Sequence, residues 1–129
     1  MSGLKFILRP ESFCIHRLPP GTQLDPGCFD AATWYSVTRS LDELSVVAPE
    51  GIDLGPGDRQ PGWSCLQIGA ILDFSLVGVL AGIARVLADA NVSIFTISTY
   101  NTDYILVRRA DLDTAVSALT AAGHVVESD

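Results

Sequence analysis

The sequence predicts an α+β fold built from two units with similar strand patterns, of which the second carries complete helices and the first does not. Three observations lead to this prediction. The second half of the chain alternates strand-like and helix-like segments in the order β-α-β-β-α. The first half has strand-like segments separated by Pro- and Gly-rich stretches that break long helices. A strand-turn-strand pattern in the first half also recurs sixty residues later.

The first half is predicted to be a strand-rich unit, and we place it at residues 1–62. Its strand-like segments are rich in apolar and β-branched residues: 4–8, 12–18, 34–40 and 43–49. Because the first two segments are separated only by Arg9, Pro10 and Glu11, they predict an opening hairpin. Residues 48–62 contain too much Pro and Gly for regular structure and predict a surface loop.

The second half, residues 63–129, predicts one complete unit. Apolar residues recur at helical spacing from Leu76 to Ala90, and Asn91 can take the left-handed conformation that ends a helix. A second helix is predicted between Asp111, a good N-cap, and Gly123. Strands are predicted at 63–72, 92–100 and 103–109, with a closing edge strand after Gly123. This is the element order of a ferredoxin-like split βαβ unit.

An internal repeat connects the two halves. Residues 36–47 align without gaps on residues 96–107, with apolar residues on apolar residues. Glu43 falls on Asp103 in this alignment. The match predicts that the fold is duplicated and that the first copy has kept its strands and lost its helices.

Composition and charge exclude several classes of function. The chain has 129 residues, 48% of them hydrophobic, and a net charge of −7. Binding to nucleic acid or to an anionic membrane needs a basic surface, which this charge disfavours. No apolar run approaches the roughly 20 residues of a membrane helix, and the first residues are too short for a signal peptide. Three cysteines without CxxC spacing favour a reducing compartment, so we predict a cytoplasmic protein.

Two phrases of the second half resemble a known family. GVLAGIARVLADANVSIFTISTYNTDYILV and DLDTAVSALTAAGH are similar to the ACT domain. The resemblance extends over residues 64–126, and more weakly over 4–48, where WYSVTRSLDELSVV and GWSC are similar to small free-standing bacterial members. It is nearest to the tandem ACT units of the aspartate kinase regulatory region and of arginine-sensing ACT-repeat proteins. It implies a duplicated, ACT-like βαββα fold, with a degenerate, helix-poor unit at 1–62 and a complete ACT domain at 63–129.

The resemblance also implies a function and a site. ACT units resemble small allosteric receptors that hold an amino acid between two units, at the loop entering the first helix and at the facing strand ends. The implied protein is a non-catalytic regulatory sensor without a cofactor, working as a homodimer or with a protein partner. The ligand-binding residues that the resemblance implies are Asp73, Leu76, Gly78, Val79, Ser98, Thr99, Tyr100 and Asp103.

The residues themselves suit such a ligand. The unpaired N–H groups in the first turn of a helix can bind a carboxylate, and the helix dipole assists them. Gly78 lets the backbone approach closely because it has no Cβ. Asp103 and Asp73 can accept hydrogen bonds from an ammonium or guanidinium group.

Alternatives remain beside this interpretation. Asp103 could serve the turn alone. Related sequences often carry an acidic and a small polar residue where this chain has Leu76 and Val77. The ligand is then a neutral or branched amino acid, or else the site has lapsed and the protein is a structural or protein-interaction module. An enzyme of unknown chemistry is a third hypothesis, which only the small pocket and its two acids favour.

Other motifs predict no chemistry. Cys14 and His16 alternate onto one strand face, but two ligands make an incomplete metal site, so we expect a buried cysteine and a partly exposed histidine. The chain has no GxSxG nucleophile motif, and its GPGDRQPG segment lacks the lysine and hydroxyl residue of a phosphate-binding loop.

Overall fold

The chain folds into two compact units. The computed structural model describes residues 3–69 and 77–129. One unit comprises Met1–Pro10 and Ser64–Asp129, and the other comprises Glu11–Trp63. We call the first the helical unit and the second the loop-covered unit. No helix in the described ranges has both the length and the apolar character that a bilayer crossing needs.

The structure confirms most of the predicted elements, with shorter bounds. Its strands are β1 (Lys5–Leu8), β2 (Phe13–Leu18), β3 (Ser36–Arg39), β4 (Leu44–Pro49), β5 (Asp58–Ile68), β6 (Ile94–Ser98), β7 (Asp103–Arg108) and β8 (Val125–Ser128). Its helices are α1 (Val79–Asp89) and α2 (Leu112–Ala121), the latter preceded by a short 3-10 helix, Arg109–Asp111. Asp111 occupies the N-cap position of α2 but makes no side-chain capping hydrogen bond. Asn91 (φ 61°) and Gly123 (φ 94°) take the left-handed conformation after the two helices, as predicted.

The helical unit has the predicted ferredoxin-like order, β5-α1-β6-β7-α2-β8. β7 pairs with β5 and, antiparallel, with β6, while β1 lies between β5 and β8. The two helices cover one face of these strands. The buried core on that face contains Phe6, Leu66, Ile68, Ile83, Leu87, Val92, Ile105, Val107, Ala115 and Leu119.

Strand β1 belongs with this unit, which differs from the sequence prediction. The predicted opening hairpin is wrong, because β1 pairs with β5 and β8 whereas β2 pairs with β4 and β5. The structural division therefore places the first ten residues with the second half rather than within a unit spanning 1–62. The physical reason is burial: Phe6 of β1 is fully enclosed in the core under the helices.

The loop-covered unit covers its sheet without a helix anywhere in residues 11–63, all of which are described. β4 lies between β3 and β2, and β2 also pairs with the first half of β5. One buried cluster of this unit contains Leu18, Leu44, Val46 and Ala48. Apolar side chains from two irregular segments, 19–33 and 50–57, pack on this face and are only partly buried: Leu24, Phe29, Ile52 and Leu54.

Strand β5 starts five residues earlier than the sequence predicts, within the segment 48–62 that was expected to be a loop. The first half of β5 was not predicted because it contains Pro61 and Gly62, which both disfavour strand interiors. They lie where the pairing with β2 shifts register, between the pairs Phe13–Trp63 and Ile15–Gln60. Gly62 has φ 85°, the left-handed conformation of a bulge glycine. A bulge accommodates both residues without ending the strand.

The β3–β4 and β6–β7 hairpins close their four-residue loops with the same hydrogen bonds. The N–H of Ser40 donates to the carbonyl of Glu43, and the N–H of Thr99 donates to the carbonyl of Thr102, both at 2.9 Å. In each loop the hydroxyl of the first residue also donates to that carbonyl and accepts from the N–H of the same fourth residue. This shared chemistry supports the predicted repeat.

The repeat is displaced by one position from the alignment that the sequence suggested. Because Ser40 corresponds to Thr99, Glu43 corresponds to Thr102 and not to Asp103. Leu44 is the residue that corresponds to Asp103. The acid at the end of the second hairpin loop is therefore not duplicated in the first.

Candidate functional site

Helix α1 begins at a glycine, as the predicted ligand loop requires. Gly78 has φ 83° and occupies the N-cap position, and its carbonyl accepts the first helical hydrogen bond from Gly82 at 2.9 Å. Among the described residues, a Cβ built on Gly78 would meet no atom within 4 Å. A left-handed conformation is strained for most residues with a side chain, which explains the glycine.

The first turns of the two helices differ in charge. The first turn of α1 carries no acidic residue. Helix α2 has Asp111 at its N-cap position and Asp113 in its first turn. Carboxylates near a helix N-terminus offset the positive end of the dipole. The dipole of α1 therefore lacks the compensation that α2 has in its own sequence, which suits α1 for an external anion.

The two valines on either side of Gly78 differ in burial. Val79 is half-buried and packs against the core of the helical unit, so only its backbone N–H is suited to a ligand. Val77 is 95% exposed, which places an apolar side chain on the surface immediately before Gly78. Asp73 and Leu76, which the sequence analysis assigned to the same loop, lie outside the described residues.

The hairpin brings three predicted residues together. Ser98 and Asp103 form the last register pair of β6 and β7. The Ser98 hydroxyl donates to Oδ1 of the half-buried Asp103 at 2.5 Å. Thr99, the next residue, uses its hydroxyl to close the loop on Thr102. Tyr100 stands at the loop tip with its side chain 83% exposed.

Thr102 is a residue that the sequence analysis missed. It is buried, with 6% of its side chain exposed, and its hydroxyl donates to the carbonyl of Ile68 at 3.2 Å. Ile68 is the last residue of β5, from which the chain continues toward Gly78. The bond therefore ties the β6–β7 loop to the end of β5. The available signal was a hydroxyl residue next to a buried strand, which is too common to single out by itself.

The contacts of the described residues form two groups. Gly78 and Val79 belong to the start of α1, and Ser98, Thr99 and Asp103 belong to the hairpin.

Within residues 3–69 and 77–129, no cluster of three or more metal-ligating side chains occurs. A surface cavity of about 250 Å³ lies in the loop-covered unit and is not lined by the predicted site residues. Its lining is Arg17, Leu18, Pro19, Asp42, Gly57 and Asp58.

Comparisons with known proteins agree with the motifs of the helical unit. The family model of the ACT domain matches residues 58–121. No curated protein matches the chain. A solved protein from Agobacterium tumefaciens is 28% identical, with a TM-score of 0.89 over 100% of this chain and 96% of that chain.

Two further solved structures are regulatory subunits of aspartate kinase. The subunit from Thermus thermophilus, in its ligand-free form, is 13% identical with a TM-score of 0.62, covering 91% of this chain and 95% of that chain. The subunit from Thermus flavus is 11% identical with a TM-score of 0.65, covering 95% and 99%. At these identities the likeness concerns the fold. Taken with the family match, it confirms the resemblance: the chain contains an ACT domain at residues 58–121.

Proposed function

We propose that this protein is a non-catalytic regulatory protein that binds an amino acid or a similar small ligand between the start of α1 and the end of the β6–β7 loop. The presence of an ACT domain supports a regulatory role. Two structures of the same fold are regulatory subunits of aspartate kinase. Asp73 and Leu76 stay in the proposed site on the strength of the family resemblance alone.

The single observation that carries the proposal is the hydrogen bond from Thr102 to Ile68. It holds the β6–β7 loop, and with it Asp103, at the end of β5 from which the chain runs to Gly78. The two sides carry complementary charge, because the start of α1 is a positive helix end without its own acid and Asp103 is an acid. A zwitterionic amino acid offers the matching groups: a carboxylate for the helix amides and an ammonium for Asp103.

The first hairpin argues against a role for Asp103 in turn formation alone. Both loops close through the hydroxyl of their first residue, and Asp103 takes no part in that closure. At the corresponding position the first hairpin has Leu44 and closes just as well. The turn therefore does not require an acid at this position, which leaves the carboxylate for a different purpose.

The neighbouring side chains favour a ligand with an uncharged side chain. Val77 is exposed beside Gly78, and Tyr100 presents most of its ring at the loop tip. Both would contact the side chain of a bound amino acid through apolar surface. We therefore place neutral and branched amino acids first among the candidates. Homodimer formation through an edge strand such as β6, in the cytoplasm, would let a second copy complete the site.

Thermal-shift screening against the twenty amino acids tests the proposal. A ligand present at 100 times its Kd should stabilise the protein by about 2.7 kcal/mol, which raises Tm by several degrees. Asp103→Asn keeps the acceptor for Ser98 but removes the charge, so it should weaken binding of the active amino acid about tenfold to a hundredfold. Asp113→Asn, in the first turn of α2, is the matched control and should bind as the wild type does.

Two results would contradict the proposal. One is the lack of a shift with every amino acid, tested with protein whose folding circular dichroism has verified. The other is an equal loss of affinity in Asp103→Asn and Asp113→Asn, since that would trace binding to overall charge rather than to the hairpin.

A second candidate function is a protein-interaction module with a lapsed ligand site. The exposure of Val77 and Tyr100 favours it, because exposed apolar and aromatic side chains are typical of binding surfaces. Pull-down with wild-type protein and with Val77→Ser separates the two functions. A partner that depends on Val77 and ignores added amino acids supports the module, whereas a partner whose binding responds to an amino acid supports the sensor.

A further inference from the structure

A histidine lies in the apolar core of the loop-covered unit. His16 is 2% exposed and shares a face of β2 with Leu18, opposite Val46 of β4. The sequence predicted partial exposure for this residue, which is wrong. Neither ring nitrogen has a hydrogen-bond partner within the described parts of the chain. Native proteins rarely leave buried polar atoms unpaired, so this one calls for a physical explanation.

The closed structure favours the neutral form of this imidazole. Burial is the main cause that lowers the pKa of His16, and the positive charge of Arg59 lowers it further, while Asp53 opposes them. Arg59 is the register partner of His16 on β5, and the partner on β4, Val46, is uncharged. The titratable groups of the covering segment 50–57 are Asp53 and Glu50, and the Glu50 carboxylate is bonded to the Ser12 hydroxyl and the N–H of Gly62. The titratable groups of the other covering segment, 19–33, are Asp25, Cys28 and Asp30.

The cover above this core is the part of the unit most able to move. Segments 19–33 and 50–57 contain no helix or strand, and their apolar anchors, such as Leu24 and Ile52, are only partly buried. The helices of the other unit hold fully buried anchors, such as Ile83 and Leu87. Segments with few buried apolar contacts open at lower free energy than core elements.

We propose that the loop-covered unit is an acid-sensitive element, in which protonation of His16 on mild acidification drives segments 19–33 and 50–57 away from the sheet while the helical unit stays folded. Opening removes two unfavourable free-energy terms at once. Water solvates the protonated imidazole of His16, and it forms hydrogen bonds with both ring nitrogens. The chain thereby carries a proton-responsive unit in addition to the helical unit, whether or not an amino acid binds.

The direction of the effect follows from proton linkage. An open, hydrated His16 titrates near pH 6.5, and the closed form titrates lower. The open state therefore binds more protons at pH values below about 6.5, so opening increases as pH falls through this value. The opening equilibrium should therefore rise between pH 7.5 and pH 5.5, by about tenfold at most, and by less the closer the pKa of the closed form lies to that of the open form.

The chain offers separate probes for the two units. Both of its tryptophans, Trp34 and Trp63, belong to the loop-covered unit, so intrinsic fluorescence reports on that unit. The α-helices that the structure describes belong to the other unit, so helical circular dichroism reports on it. Between pH 7.5 and 5.5 we expect a fluorescence change and faster amide opening, by up to about tenfold, in segments 19–33 and 50–57, after correction for intrinsic exchange, without loss of helical signal.

Three substitutions test the assignment to His16. His16→Leu should abolish the pH-dependent opening. Arg59→Gln raises the pKa of the closed form and should reduce opening at pH 5.5. Asp53→Asn keeps the side-chain acceptor that Gly55 uses but removes the charge, and should increase opening. The last two variants retain His16, so they test the proposal even if His16→Leu fails to fold.

The histidine signals complete the experiment. The chain has two histidines, so proton NMR follows each ring separately, with a His124→Gln variant to assign them. Titration of His16 together with amide opening supports the proposal. Titration of His16 near pH 6.5 without opening, or equal opening in wild type and His16→Leu, overturns it, as does a change of the same sign in Arg59→Gln and Asp53→Asn.

Discussion

The β3–β4 and β6–β7 hairpins have the same hydrogen bonds in their loops and differ in the residues that anchor and follow those loops. Each closes four residues through the hydroxyl of the first, Ser40 in one and Thr99 in the other. In the loop-covered unit, buried Leu44 follows the loop. In the helical unit the loop ends in buried Thr102, which is bonded to β5, and half-buried Asp103 follows it.

This comparison separates what a turn needs from what a site needs. The hydroxyl is common to both loops and is turn chemistry. The anchor and the acid occur only in the second hairpin, so the turn does not demand them. The change of the residue after the loop from Leu44 to Asp103 is the difference on which the proposed role of Asp103 rests.

Exchanging the residues that follow the loops should give the largest effect. Leu44→Asp places a carboxylate in the core of the loop-covered unit and should cost about 4 kcal/mol or more of unfolding free energy. Asp103→Leu removes one hydrogen bond from a half-buried position and should change stability by about 1 kcal/mol or less. Urea unfolding followed by fluorescence and by circular dichroism measures the two units.

A large loss of stability in Asp103→Leu would break the comparison, because it would make the acid structural. Asp103→Asn, which preserves the hydrogen bond from Ser98, serves as the control in that measurement. Its stability should match the wild type within about 0.5 kcal/mol.

Removing the anchor should give an intermediate effect. Thr102→Val preserves the shape of the side chain and leaves the carbonyl of Ile68 without its hydroxyl donor, which should cost about 1–3 kcal/mol. Glu43→Gln, at the corresponding place in the first hairpin, should cost about 0.5 kcal/mol or less. Thr102→Ser restores the donor and should recover most of the loss in urea unfolding. A negligible cost for Thr102→Val beside a larger cost for Thr102→Ser would show that the methyl group, and not the hydrogen bond, holds the loop.

The sequence predicted the elements well where the pattern was local. Helix α1 was readable from its apolar spacing, and Asn91 and Gly123 from their conformational freedom at helix ends. The pairing partners of a strand can lie far away in the sequence, so a local pattern does not reveal them. For this reason the strand at 4–8 was wrongly predicted to pair with the strand at 12–18, whereas it pairs with β5 and β8. Strand β5 began unrecognised because the bulge at Pro61 and Gly62 resembles a loop in composition.

The residues of the candidate site stay a prediction, and the register of the repeat could not be predicted from the sequence. Hydrophobic matching cannot detect a displacement of one residue where adjacent positions such as Val46 and Val47 are both buried, so Glu43 was paired with Asp103. The role of Thr102 could not be predicted from the sequence because its hydrogen-bond partner, the carbonyl of Ile68, is 34 residues away. His16 was misjudged because a strand pattern does not reveal how completely irregular segments cover a face.

Deleting the shared hydroxyl should give the smallest effect and the sharpest test of likeness between the loops. In Ser40→Ala and in Thr99→Ala, the N–H of the fourth loop residue loses its side-chain acceptor, and each change should cost about 1 kcal/mol. Because the backbone bond at 2.9 Å remains in both loops, we expect the two costs to agree within about 0.5 kcal/mol. Thr99→Ser keeps the hydroxyl and should be close to neutral. If Ser40→Ala proves neutral in urea unfolding while Thr99→Ala does not, the common hydrogen bonds contribute unequally, and the first loop then depends on Leu44 and its strand for its shape.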